Sequence, residues 1–256
     1  YSGQTRTTDS EGAAYLWLFP ASYSPYTLVE YTLPDGTLIR KEVHVEVEDG
    51  WETTVAIPSA TIVFSGVVKR SDGQPVVGAE LHLSSGDTGA DVKVRTDETG
   101  AYRAAVPPGG DYRIWMTWYP GSTEPFPAKI EAYRHPVEFR RSTTINFTIP
   151  MPRKVTVLVT DRNGRPLRGA VVAGGRGTVR GIDPPPGSGF TAFMYSSGQS
   201  STTGSDGRGY LYFYDFPYAI DAYAEYRPSG GTVTRIAFDV MVSGDTNTTV
   251  QFDRIG

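Results

Sequence analysis

The sequence has no cysteine. That excludes a disulfide framework, a thiolate metal site and a cysteine nucleophile, and it leaves the redox compartment open. There is no apolar run long enough to span a bilayer as a helix. Net charge is only −4 over 256 residues, so there is no electrostatic footprint for nucleic acid or an anionic membrane. No ten-residue window carries helical periodicity. No G-x-S-x-G, HExxH, Walker or GxGxxG pattern places a reactive group. Histidine is scarce, being His44, His82 and His135 alone. The first two fall on alternating strands and the third precedes a proline in a loop, so none builds an acid–base pair. The reading is therefore not an enzyme, with no cofactor and no metal. The chain begins at Tyr1 without Met or a signal peptide, which reads as a processed form or a fragment.

Strand formers and turn formers are abundant. Apolar residues make up 39% and aromatics 12%, with 29 Gly and 19 Pro. That suits a real core built from many short strands. Period-two alternation runs through Leu38–Val47, Thr143–Ile149, Lys154–Thr160 and Arg235–Val242. One block recurs. Thr202–Phe213 reads TTGSDGRGYLYF, Thr7–Phe19 reads TTDSEGAAYLWLF, and Arg95–Val106 reads RTDETGAYRAAV. Each is a turn leading into a strand. Asp and Ser bond their own backbone, Gly supplies positive φ, and the aromatics suit a pleated, half-buried surface.

The recurrence extends beyond the block. Residues 1–61 lie on 196–256 at a constant offset of 195 without a gap, through Gln4/Gln199, Glu30/Glu225, Arg40/Arg235 and Val47/Val242. A second motif, Gly66–Ala79, parallels Val157–Ala170: strand, Asp-Gly or Asn-Gly turn, connector, strand. Gly78 and Gly169 are 91 apart, whereas Gly100 and Gly207 are 107 apart. The later copy thus holds an insertion, placed at the Gly/Pro-rich loop 174–189 and expected to be exposed. The domain reading is the C-terminal half of a β-sandwich at 1–60, a complete module at 61–151 and a complete module of the first type at 152–256. The linkers Pro58-Ser59-Ala60 and Pro150-Met151-Pro152 are short and Pro-bearing, so neighbours should be held semi-rigidly.

The pair x-V-x-D-x-x-G-x-P-(L/V)-x-G-A and T-D-x-x-G-x-Y resembles carboxypeptidase regulatory-like and Cna-B domains, with Tyr26–Gly36 particularly Cna-B-like. The resemblance implies an all-β chain of tandem seven-stranded Greek-key β-sandwiches, prealbumin- or Ig-like, the first incomplete at its N-terminus. It also implies a surface or extracellular protein without catalysis. Some Cna-B domains carry a Lys–Asn isopeptide bond assisted by an acid. The corresponding acids here are Glu30 and Glu225, with Asn146 or Asn247 near a last strand. The lysine positions hold Val68 and Val159, and Lys69 lies one residue off, on the other face.

Remaining candidates are weighed on residue type. Asp9/Glu11, Asp97/Glu98 and Asp206 sit in turns that could gather around a hard cation, but such acids mostly serve the backbone. Trp115, Trp118, Tyr119, Tyr212 and Tyr214 are candidate interface or glycan-stacking aromatics, half of each cluster being core by strand parity. Asn146 and Asn247 head N-x-[ST] sequons and are candidate glycosylation sites. The functional expectation is a structural protein forming a filament, stalk or surface layer through self-association or neighbouring modules. The alternative is an adhesin or carbohydrate-binding region with glycan partners. Nucleic acid and a membrane span are not expected.

Overall fold

The computed structural model describes residues 4–17, 26–32, 38–44, 54–55, 62–86, 88–121, 124–174, 179–196 and 198–253. These hold strands and no helix. The first segment contributes β1 (Tyr26–Thr32) and β2 (Leu38–His44), an antiparallel pair. The middle module holds β3 (Ile62–Arg70), β4 (Glu80–Ser85), β5 (Asp91–Arg95), β6 (Ala101–Val106), β7 (Gly109–Trp118), β8 (Lys129–Phe139), β9 (Thr143–Thr144) and β10 (Phe147–Ile149). The third holds β11 (Arg153–Asp161), β12 (Val171–Gly174), β13 (Val179–Ile182), β14 (Ala192–Ser196), β15 (Ser200–Thr202), β16 (Arg208–Phe213), β17 (Phe216–Tyr226), β18 (Thr234–Val242) and β19 (Thr246–Phe252).

The middle and third segments are each a sandwich of two layers. In the middle module β10-β3-β6, with β9 also on β3, faces the sheet containing β8-β7-β4-β5. Phe64 on β3 meets Phe139 on β8 across the layers at 5.2 Å between ring centroids. In the third module β16-β11-β19 faces β15-β12-β17-β18. Tyr226 on β17 meets Phe252 on β19 at 6.1 Å. Strand alternation sets these contacts. Along β7 every second residue, Tyr112, Ile114, Met116 and Trp118, is buried.

The recurring motifs have a common physical cause. After the first strand of each module the chain turns at Asp-Gly or Asn-Gly and folds back over that strand. Val76 N–H donates to Val68 O at 3.0 Å, and Leu167 N–H donates to Val159 O at 2.9 Å. The later turn then clasps this fold. Gly100 O accepts from Val68 N–H and Gly207 O accepts from Val159 N–H, each at 2.8 Å. A Cβ on Gly100 would stand 2.4 Å from Val68 O, and φ is +77° there, so only glycine fits. A buried threonine completes the clasp. Thr96 Oγ1 donates to Val76 O at 2.6 Å and accepts from Ala79 N–H at 2.9 Å. Thr203 Oγ1 does the same with Leu167 O and Ala170 N–H, at the same two distances.

The first segment repeats the geometry of the third. Six of the seven Cα pairs of β1 and β2, from Tyr26↔His44 to Tyr31↔Ile39, have counterparts in β17 and β18 at an offset of 195. The Glu30–Arg40 and Glu225–Arg235 ion pairs both close to 2.6 Å. Gln4 bonds both backbone groups of Trp17, as Gln199 does those of Tyr212. Burial differs. Leu211 is wholly buried, while Tyr15, Trp17, Leu28 and Tyr31 are exposed. β2 lies beside β5, and Lys41 packs over Gly89.

Two expectations change. Thr143–Ile149 is not one strand, because it breaks at Ile145–Asn146, where Ile145 O turns toward the Tyr102 hydroxyl. His135 is not in a loop but within β8.

Thr203→Val keeps the shape but removes the donor to Leu167 O and the acceptor for Ala170 N–H. Leaving such buried groups unpaired costs about 1–3 kcal/mol. Urea denaturation should show a lower midpoint with an unchanged slope, and Thr96→Val should behave alike.

Candidate functional site: the module joint and the outer aromatic face

The middle and third modules meet at a joint built from paired strands and buried aromatic side chains. β14 pairs antiparallel with β8, from Ala192↔Tyr133 to Ser196↔Lys129, and β13 pairs with β14. A hairpin of the third module thus extends the middle module's sheet to the order β13-β14-β8-β7-β4-β5. This corrects part of the expected exposed loop 174–189, in which Gly181, Asp183, Pro186 and Gly187 are exposed as expected. Residues 175–178 lie outside the described residues, but Val179–Ile182 is strand and Ser188 is buried. The backbone of a Gly- and Pro-rich segment needs partners when it is buried, and β14, itself paired to β8, supplies them to Val179–Ile182.

Side chains lock the seam. Phe190 stacks on Phe147 at 4.5 Å with 13° between rings, continuing through Phe193 to Tyr214. Tyr214 donates its hydroxyl to Pro150 O at 3.0 Å, tying the linker. Burial pushes the Tyr214 phenol well above its ordinary pKa, so it stays a donor. Thr191 N–H donates to Tyr133 O at 2.7 Å, and Thr148 N–H to Ser188 O at 2.9 Å. Arg134 Nη1 donates to Gly189 O at 2.6 Å. A Cβ on Gly189 would meet Asn146 O at 2.6 Å, so glycine permits the close approach. Hydrophobic contact is unbroken across the joint, one buried cluster running from Ile62 to Phe252. Beside the seam lies an open groove lined by Met151, Ile182, Pro185, Phe193 and Met194, with the Arg153–Asp215 ion pair at its rim.

The outer face of the six-stranded sheet carries Trp115 and Tyr119, 39% and 68% exposed. Trp115 meets Tyr133 edge-on at 6.0 Å, and Lys129 lies over the Tyr119 ring. Trp118 is not on this face. It is buried against Phe126, because it sits three residues from Trp115 and parity turns it inward. Tyr214 is likewise no surface platform, being buried in the joint. Tyr212 is half-buried on β16, clasped by Gln199.

The other candidates resolve into structural partners. His82 contacts Asp91 and His135 contacts Asp111, each as a lone pair on the sheet. The side chain of His44 lies outside the described residues. Val68 and Val159 are fully buried, and Lys69 points to solvent. Asn146 and Asn247 are both exposed, and the Asn146 Oδ1 accepts from Val67 N–H at 3.1 Å. Asp9, Asp97 and Asp206 each accept backbone N–H groups of their own turns. Among the described residues no group of three metal-ligating side chains comes together.

Two outcomes follow. Phe190→Ala should loosen the seam, seen as faster hydrogen exchange at the Thr191–Ser196 amides with the β3–β6 amides unchanged. The second outcome concerns acid. Bonds from Thr99 and its neighbours hold the Asp97 carboxyl below its ordinary pKa, and bonds from Arg208 do so for Asp206. A lowered folded pKa adds stability above the unfolded value of about 4, and that stability is lost as pH falls through the folded value. Asp97→Asn keeps an acceptor without the charge, so its urea midpoint should fall less between pH 6 and pH 3 than that of the parent.

Residues 63–121 match the carboxypeptidase regulatory-like domain model, which spans β3 to β7 and the start of the following loop. No curated protein matches the chain. Solved structures similar to it include the shaft pilin SpaA from Lactobacillus rhamnosus GG, at 10% identity and TM-score 0.40 over 76% of this chain and 97% of that one. GBS52, the minor pilin of Streptococcus agalactiae, is 15% identical at TM-score 0.40, over 77% and 97%. A streptococcal ancillary pilin is 14% identical at TM-score 0.35, over 89% and 75%. The chain is all-β and sandwich-built, and its middle module carries a carboxypeptidase regulatory-like domain at residues 63–121.

Proposed function

We propose that the chain is a non-catalytic structural protein of the cell surface or extracellular space. Its modules build a filament, stalk or surface layer, by self-association or with neighbouring modules of the same kind. The observation that carries this reading is the joint. A six-stranded sheet drawn from two modules, sealed by stacked aromatics, makes a stiff unit. Inter-domain interfaces within a chain ordinarily permit relative motion unless they are large and apolar. A binding tether needs no such seam, whereas a rod does.

A second reading, an adhesin or carbohydrate-binding region, is favoured by Trp115 and Tyr119 on the outer sheet face. A flat exposed indole offers a stacking surface for a sugar ring.

Immunogold electron microscopy of intact, untreated cells of the source tests the first reading. Label along regular filaments or a surface lattice is expected, and label confined to the cell interior contradicts it. A glycan array tests the second. Binding that Trp115→Ala abolishes without lowering the melting temperature supports it, and no binding removes it.

A further inference from the structure

We propose that the chain bears tension along its length, with the middle and third modules each loaded in shear between their first and last strands. The proposal rests on the structural role above and adds a mechanical activity to it. In the third module β11 and β19 are neighbours and run parallel, in register from Val155↔Thr246 to Asp161↔Phe252. The chain enters this module at the start of β11 and leaves it at the end of β19. In a parallel pair those two points lie at opposite ends of the ladder. A pull on the chain slides one strand along the other and strains the evenly spaced bonds together. An antiparallel or reversed pull would open them one after another.

The middle module has the same plan in weaker form. β3 pairs parallel with β9 at Phe64↔Thr143 and Ser65↔Thr144, and with β10 from Phe147↔Val68 to Ile149↔Arg70. Between them the ladder breaks at Ile145–Asn146, and a side chain bridges the gap through Val67 N–H and Asn146 Oδ1. Ile145 N–H still donates to Ser65 O at 2.9 Å, and Gly66 leaves room for Ile145 O, which occupies the space that a Cβ there would fill. Under tension the middle module therefore gives way first.

The joint hairpin stands beside the line of force. The linker Pro150-Met151-Pro152 connects the end of β10 directly to β11. Stiffness of the joint and strength under tension are thus separate properties of different strands. Forced unfolding is governed by the unfolding rate rather than by equilibrium stability. The direction of pulling, and not the melting temperature, exposes the device.

The absence of cysteine makes the test direct. In the full chain, Pro152→Cys with Asp253→Cys attaches handles at opposite ends of the β11–β19 ladder. Pro152→Cys with Ser243→Cys attaches them at the same end. Ser243 and Asp253 are exposed. Single-molecule force spectroscopy should show the first pair rupturing at several-fold higher force than the second. Equal forces overturn the proposal. The unsubstituted chain, pulled through terminal tags, supplies a readout free of substitutions. The released length of Ile62 to Ile149 should appear at lower force than that of Arg153 to Phe252, and the reverse order overturns the ranking. Neither failure touches the surface location, and an interior location leaves the force anisotropy standing.

Discussion

Pairing of β14 with β8 is the interaction on which the arrangement of the two modules depends. It places a hairpin of one module in the sheet of the other, so that the Phe190 ring reaches Phe147 and the Tyr214 hydroxyl reaches the linker. Without that pairing the edge of β8 would stand open, a ready template for foreign strands. With it, the edge is consumed internally and the core runs through both modules.

Within each module the governing constraint is different and local. The first strand must receive a turn folded back over it, and the later turn must close on that fold through a glycine and a buried threonine. Thr96 and Thr203 make the same pair of bonds in the two modules. The motif shared by Gly66–Ala79 and Val157–Ala170 is therefore a description of this clasp. Its Asp and Gly set the turn, its Pro begins the return, and its Ala sits where Thr Oγ1 accepts the backbone N–H. None of these residues is aimed at a ligand. That agrees with His82, His135, Asp9, Asp97 and Asp206, whose partners lie within the fold.

Much of this was legible in the chain. The offset of 195 foretells that β1–β2 and β17–β18 share a register, because equal spacing of turn and apolar residues fixes equal pairing. Strand parity foretells that Trp115 and Trp118 face opposite ways. The joint was not legible. GGRGTVRGIDPPPGSG carries every local mark of an exposed loop, and β13 forms there only because β14 offers an edge. Pairing across modules is non-local, and a window of ten residues holds no trace of it. The split of Thr143–Ile149 was hidden similarly. The break lies beside Gly66, far away in sequence, which leaves room for Ile145 O.

The sheet shared through β14 and β8 predicts that the middle and third modules tumble as one rigid body. Residual dipolar couplings of the backbone amides in β3–β8 and β11–β19 test it most directly. A single alignment tensor should fit both sets with the geometry described. Two tensors of different magnitude or orientation would show that the modules move independently, and would contradict the account.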